Sequence, residues 1–178
     1  MPLERIRDSA REPTIYQYRL VRKIAFQAEI GYSHLAAGAL CLLTLAAFRG
    51  WAGFFGAVTG AAFMTALHAA MCRVTLRRID AAGHRRWTFR TDWPWWGPFP
   101  VTDTSLRLFR RLHAHLAVVG LCGAGALYPW VPPVFVVSLV YWHLWLLAPR
   151  AWLMWRLRRE QGDHVLRFGS GEVSVYRP

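Results

Sequence analysis

Three long stretches of this chain contain no Asp, Glu, Lys or Arg: Ile30–Phe48, Gly50–Cys72 and Leu112–Pro149. The third runs to 38 residues, more than a buried pair of soluble helices needs, so a lipid bilayer is the expected solvent. Acidic residues are scarce throughout, with 10 Asp and Glu against 22 Lys and Arg, and Glu29 only borders the first stretch. A proton- or sodium-coupled transporter usually keeps a carboxylate within its spans, so that class is disfavoured. Cysteine is limited to Cys41, Cys72 and Cys122 with no Cys-x-x-Cys pair, which excludes a disulfide framework or a zinc ribbon. Also missing are Gly-x-Ser-x-Gly, a phosphate-cradling glycine loop, His-Glu-x-x-His and clustered carboxylates. No catalytic residue and no metal ligand is assigned. The first 29 residues are charged rather than apolar, so a cleavable signal is not expected, and the first span would serve as an uncleaved anchor.

What is present is arginine, and its placement carries the topology. Of the 22 basic residues, 6 precede residue 30, 9 lie in 73–111 and 6 follow Pro149. Basic residues collect on the cytoplasmic side, so both termini and the middle segment are expected inside. The fold expected is an all-α membrane protein of four transmembrane helices, in two antiparallel hairpins with both ends cytoplasmic. A bacterial inner membrane is the expected location, since 21 Arg to one Lys points to a GC-rich genome. The net charge of +12 is explained by this topology and by anionic inner-leaflet lipids, at about 1 kcal/mol per basic residue near the surface. No nucleic-acid partner is expected.

Five segments follow. Residues 1–29 form a cytoplasmic arm, with an interfacial amphipathic helix that places Leu20, Val21, Ile24 and Ala28 on one face. Residues 30–72 form the first transmembrane hairpin, turning at Arg49-Gly50. Residues 73–111 are an Arg-, Trp- and Pro-rich cytoplasmic loop, ending in a helix start capped by Asp103. Residues 112–155 form the second hairpin, turning at Tyr128–Pro133. Residues 156–178 are a tail in which two alternating runs flank Gly169-Ser-Gly171, the pattern of a β-hairpin.

Small residues let helix backbones approach in lipid, so Ala52, Gly56 and Gly60 on the second span and Gly120 and Gly123 on the third are expected packing positions. Trp87, Trp93, Trp95, Trp96, Trp152 and Trp155 lie among arginines, where indole rings straddle the membrane–water boundary or anchor a partner. His34, His68, His115 and His143 are candidate ligands for haem b or a chlorophyll-type pigment, with His68 and His115 foremost. The simpler reading makes them interfacial or helix-linking, with no cofactor. Asp80, His84 and Asp92 would be the site of a lipid-modifying enzyme at the inner interface. The leading expectation is a non-catalytic scaffold or accessory subunit of a larger bacterial inner-membrane complex, packed on other membrane subunits.

Overall fold

The first and last strands of the described residues pair in one sheet, and the helices pack beside it. The computed structural model describes residues 18–79, 87–92, 94–160 and 164–177. In order these form β1 (Arg19–Ala25), α1 (Ala28–Ile79), β2 (Trp87–Arg90), β3 (Gly97–Pro100), β4 (Thr104–Ser105), α2 (Leu106–Ala126), α3 (Pro133–Arg156), β5 (Val165–Phe168) and β6 (Glu172–Arg177).

The helix α1 is long because its residues are nearly all apolar or small, and it is broken once. At Gly50 the backbone leaves the helix (φ 59°, ψ −144°), a conformation glycine adopts without penalty. The chain then doubles back. A Cβ on Gly53 would fall on the Leu45 carbonyl, whereas a straight helix would hold those residues about 12 Å apart.

Between the two arms of α1 and against α2 lies α3, which Pro133 starts at the first helical position, where a missing N–H costs nothing. The Tyr141 hydroxyl donates to the Ala37 carbonyl, and Trp145 Nε1 donates to the His34 carbonyl at 2.9 Å. The second arm of α1 meets α3 through Ser138, whose hydroxyl donates to the Gly56 carbonyl at 3.2 Å. On the other flank, Leu112 and Leu116 of α2 pack with Cys72, Leu76 and Leu147.

A second core lies at the end of the bundle where α2 begins and α3 finishes. The antiparallel order β1-β6-β5-β4 presents Ile24, Leu166, Phe168, Val173 and Val175 to Leu106, Phe109, Leu153 and Leu157. Trp95 and Phe99, from the separate β2–β3 pair, fill the space between. Pro98 and Pro100 are tolerated in β3 because a two-stranded sheet has only edges.

This architecture corrects the expected fold class. The protein is not all-α, because six strands build two sheets. Nor is it a four-span protein: the described residues form three helical elements, of which α1 and α3 are long and apolar enough to cross a membrane. The helix α2 fails because Arg107, Arg110, Arg111, His113 and His115 occupy its first half. Its uncharged part, from Leu112 to Ala126, extends about 22 Å against a hydrocarbon thickness of about 30 Å.

The expected interfacial helix is instead β1 over Arg19–Ala25, while residues 1–17 lie outside the described residues. Pairing with β6, with Ile24 opposite Val173 and Lys23 opposite Ser174, overrode the local helical spacing. A register shift between Leu20 and Arg22 had blurred the strand's alternation. Ser105, not Asp103, caps α2, its hydroxyl accepting from the Leu108 N–H at 3.2 Å. Asp103 is bound to Arg167 by two hydrogen bonds of 2.8 Å, tying the entry of β4 to β5.

Two outcomes follow from these contacts. Gly53→Val forces the helical arms apart at the Gly50 turn and lowers the thermal midpoint by several degrees in mild detergent, whereas Gly123→Ala, where an added Cβ meets nothing within 4 Å, leaves it unchanged. The Arg167 guanidinium holds the Asp103 carboxyl below its ordinary value of 3.8. The pair therefore stabilises the fold above that pH and is lost as pH falls through the lowered value. Both side chains are part-exposed, so Asp103→Asn costs at most about 1 kcal/mol at neutral pH, and its unfolding curve merges with that of the parent only once the pH is below the lowered carboxyl value.

Candidate functional site

Where α1, α2 and α3 come together, the interior turns polar without any carboxylate among the described residues. His143 is fully buried and His68 nearly so, and His68 Nε2 lies 2.8 Å from His143 Nδ1 with the rings nearly perpendicular. The other nitrogen of His143, Nε2, lies 3.1 Å from the Ala117 carbonyl. A carbonyl only accepts, so His143 Nε2 carries the proton and its Nδ1 accepts from His68 Nε2–H. That leaves His68 Nδ1 as a buried lone pair with no partner. His113 repeats the pattern: its Nδ1 donates to the Phe109 carbonyl at 2.7 Å, and its Nε2 is a second unpartnered lone pair.

The sequence prepares this cluster by removing side chains. A Cβ on Gly120 would run into the His143 ring, so glycine at that position makes room for the imidazole. Gly60 does the same for the Ser138 hydroxyl.

Arg150 completes the cluster. It is 1 % exposed, and it acts electrostatically on His68, His113 and Cys72. Its Nη2 donates to the Trp96 carbonyl at 3.0 Å, and its guanidinium carbon sits 4.5 Å from the centre of the Phe99 ring. Gly97, at φ 108°, passes so close that a Cβ there would lie 2.6 Å from Nη2. Arg150 Nε and Nη1 have no partner, and no carboxylate among the described residues pairs with this cation. A buried guanidinium without a counter-charge costs several kcal/mol of desolvation, which makes this the most chemically exposed point in the interior.

Beside the cluster, the two arms of α1 diverge over α3 and leave a groove of about 580 Å³. Its walls include Leu35, Ala62, Thr65, Ala66, Trp142 and Trp145, and β2–β3 closes one end with Phe89, Thr91, Asp92 and Trp96. Asp92 is held by Arg90, whose Nε donates to it at 2.8 Å, and this keeps its carboxyl below the ordinary range and makes it a poor general base.

Of the four histidines singled out in the sequence, only His68 and His143 meet. His34 stacks on Trp145 with ring centres 4.1 Å apart, and His115 is exposed beside the Thr75 hydroxyl at 3.4 Å. Arg150 was not singled out, and His113, at the same depth as His115, was passed over in favour of it. The signal for Arg150 was its spacing of seven from His143, which places both on one helical face. Among the described residues no group of three His, Cys, Asp or Glu is arranged to hold a metal ion.

Gly60 and Gly120 are close-contact positions, Gly56 and Gly123 face open space, and Ala52 is exposed beside Val131 and Pro132. The tryptophans divide as well. Trp95 is fully buried, with Nε1 donating to the Gly169 carbonyl at 3.0 Å. Trp87 and Trp152 are half-buried, Trp96 and Trp155 are exposed, and Trp93 lies outside the described residues, as do Asp80 and His84.

Comparison with known proteins returns no matching family model, no similar curated protein and no similar solved structure. The site must be read from its own geometry. If the His68–His143 bond organises the cluster, His143→Leu strands a buried donor on His68 and costs about 1–3 kcal/mol. The double variant His68→Leu/His143→Leu then unfolds at lower cost than the sum of the two singles, a coupling of about 1–2 kcal/mol measurable in denaturant titrations.

Proposed function

We propose that this chain is a non-catalytic membrane scaffold, an accessory subunit that holds partner proteins through its helices and presents its β module on the cytoplasmic side of a bacterial inner membrane. The observation that carries the reading is apolar surface left uncovered. Only 17 % of the residues in the most apolar window of α1 are buried within the chain, whereas the core helix of a water-soluble protein hides most of its surface. Phe48 is 82 % exposed, Trp51 76 % and Leu43 68 %. A continuous surface of this kind belongs against lipid or partner helices.

Orientation is supported by the position of the strands. Both sheets lie at the end of the bundle that carries the arginine-rich segments, so the positive-inside rule assigns that end to the cytoplasm, against anionic lipid. The exposed strand β1 offers Arg19, Arg22 and Lys23 with an unpaired edge, a surface suited to a partner's soluble region. The haem or pigment reading is weakened because both ring nitrogens of His143 are already hydrogen-bonded and His115 lies apart beside Thr75, which leaves His68 Nδ1 without a second ligand from that pair.

The test is alkaline carbonate extraction of native membranes, followed by mild-detergent purification of the tagged chain with a visible spectrum. The expected result is retention in the membrane and a colourless preparation carrying a partner in fixed ratio. Release by carbonate, purification as a lone monomer, or a Soret band lost in His68→Leu would each overturn the scaffold reading.

A further inference from the structure

A second void, of about 10 Å³, lies against Arg150 between the apolar groove and the end of α3. Pro94, Trp96, Trp145 and Leu146 line both spaces, so the groove and the void against the guanidinium adjoin across these side chains. Two facts then need one explanation. The groove is lined mostly by alanines, other apolar side chains and aromatic rings, its one carboxylate, Asp92, is paired with Arg90, and its volume falls within the roughly 300–1,000 Å³ typical of ligand sites. The cation behind its inner end is completely buried, keeps two nitrogens unbonded and has no carboxylate beside it among the described residues.

We propose that the groove and Arg150 together form a binding site for a single-chain amphiphile with a small anionic head, a long-chain carboxylate of the fatty-acid class. The alkyl chain lies in the groove between the arms of α1, along Ala62, Thr65 and Ala66, and the carboxylate takes the place of the missing counter-charge on Arg150. Charge complementarity selects the head: an uncompensated guanidinium in an apolar interior is stabilised by an anion, and a neutral alcohol would leave it unpaired. Size selects against larger heads. The space at Arg150 is that of one water molecule, so a carboxylate enters with a small displacement of Trp96 and Trp145, while a glycerol phosphate carrying two chains does not. The depth also agrees, because Arg150 sits where the bundle meets the β module and the groove runs from there toward the middle of the helices. This site is independent of the scaffold role and stands or falls without it.

Trp96, Trp142 and Trp145 in the groove wall supply the readout. The full-length chain in nanodiscs of zwitterionic lipid is titrated with dibromostearate, whose bromines quench nearby indoles, and oleate, oleyl alcohol, dioleoyl phosphatidate and sodium chloride are used as competitors. Saturable quenching is expected, reversed by oleate and at least tenfold less effectively by oleyl alcohol or phosphatidate. Arg150→Gln weakens oleate at least tenfold. Ala66→Phe fills the groove, leaves Arg150 in place and abolishes saturable quenching, so the proposal stays open to refutation if Arg150→Gln does not fold. Quenching that never saturates, equal competition by the alcohol, stronger competition by phosphatidate, full protection by chloride, or unchanged oleate affinity in folded Ala66→Phe would each overturn it.

Discussion

Arg150 ties the helical bundle to the β module, and much of the structure is arranged around accommodating it. The side chain leaves the penultimate turn of α3, donates to the Trp96 carbonyl and lies over Phe99, so it fixes the β2–β3 pair on the end of the bundle. With β3 held there, Trp95 fills the core under the main sheet, and its N–H reaches the Gly169 carbonyl at the β5–β6 turn. Gly97 is required because any side chain would occupy the guanidinium's space. A cation buried this completely demands compensation, and the described residues supply a carbonyl and a ring face but no anion. The same contact that joins the two halves therefore leaves an unfilled chemical capacity at their junction.

The helices show a different economy. Within the bundle, close approach is arranged by glycine opposite a large or polar partner: Gly60 opposite Ser138, Gly120 opposite His143, Gly38 opposite Trp145. Outside it, Leu43, Phe48, Trp51 and Phe55 stay largely exposed. Dispersion contacts between backbones drive helix association in lipid, whereas burial from water drives it in solution. The chain uses the first inside the bundle and leaves its large apolar side chains outward. That division is the observation on which the proposed membrane setting with partner helices rests.

Some of this was legible in the residues. The uncharged stretches marked the apolar helices, Arg49-Gly50 marked the reversal, Pro133 marked a helix start, and Gly169-Ser-Gly171 marked a hairpin turn, each because a local rule of geometry governs it. The strand at Arg19–Ala25 was not legible: its partner lies about 150 residues away in β6, and its bulge hid the alternation. Nor was the burial of Trp95, since a run of tryptophan, proline and arginine has the composition of a membrane interface wherever it finally packs. The histidines were visible as candidates, but whether two imidazoles meet depends on helix rotation and depth.

The sequence by itself determined which segments are apolar, where the long helix breaks, and which end of the bundle carries the positive charge, because these follow from the neighbours of each residue along the chain. Tertiary structure alone decided that the first and last described strands pair in one sheet, that His68 bonds His143 while His115 turns away, and that Arg150 is sealed from solvent. Those outcomes depend on contacts between residues distant in sequence, and no local preference encodes them.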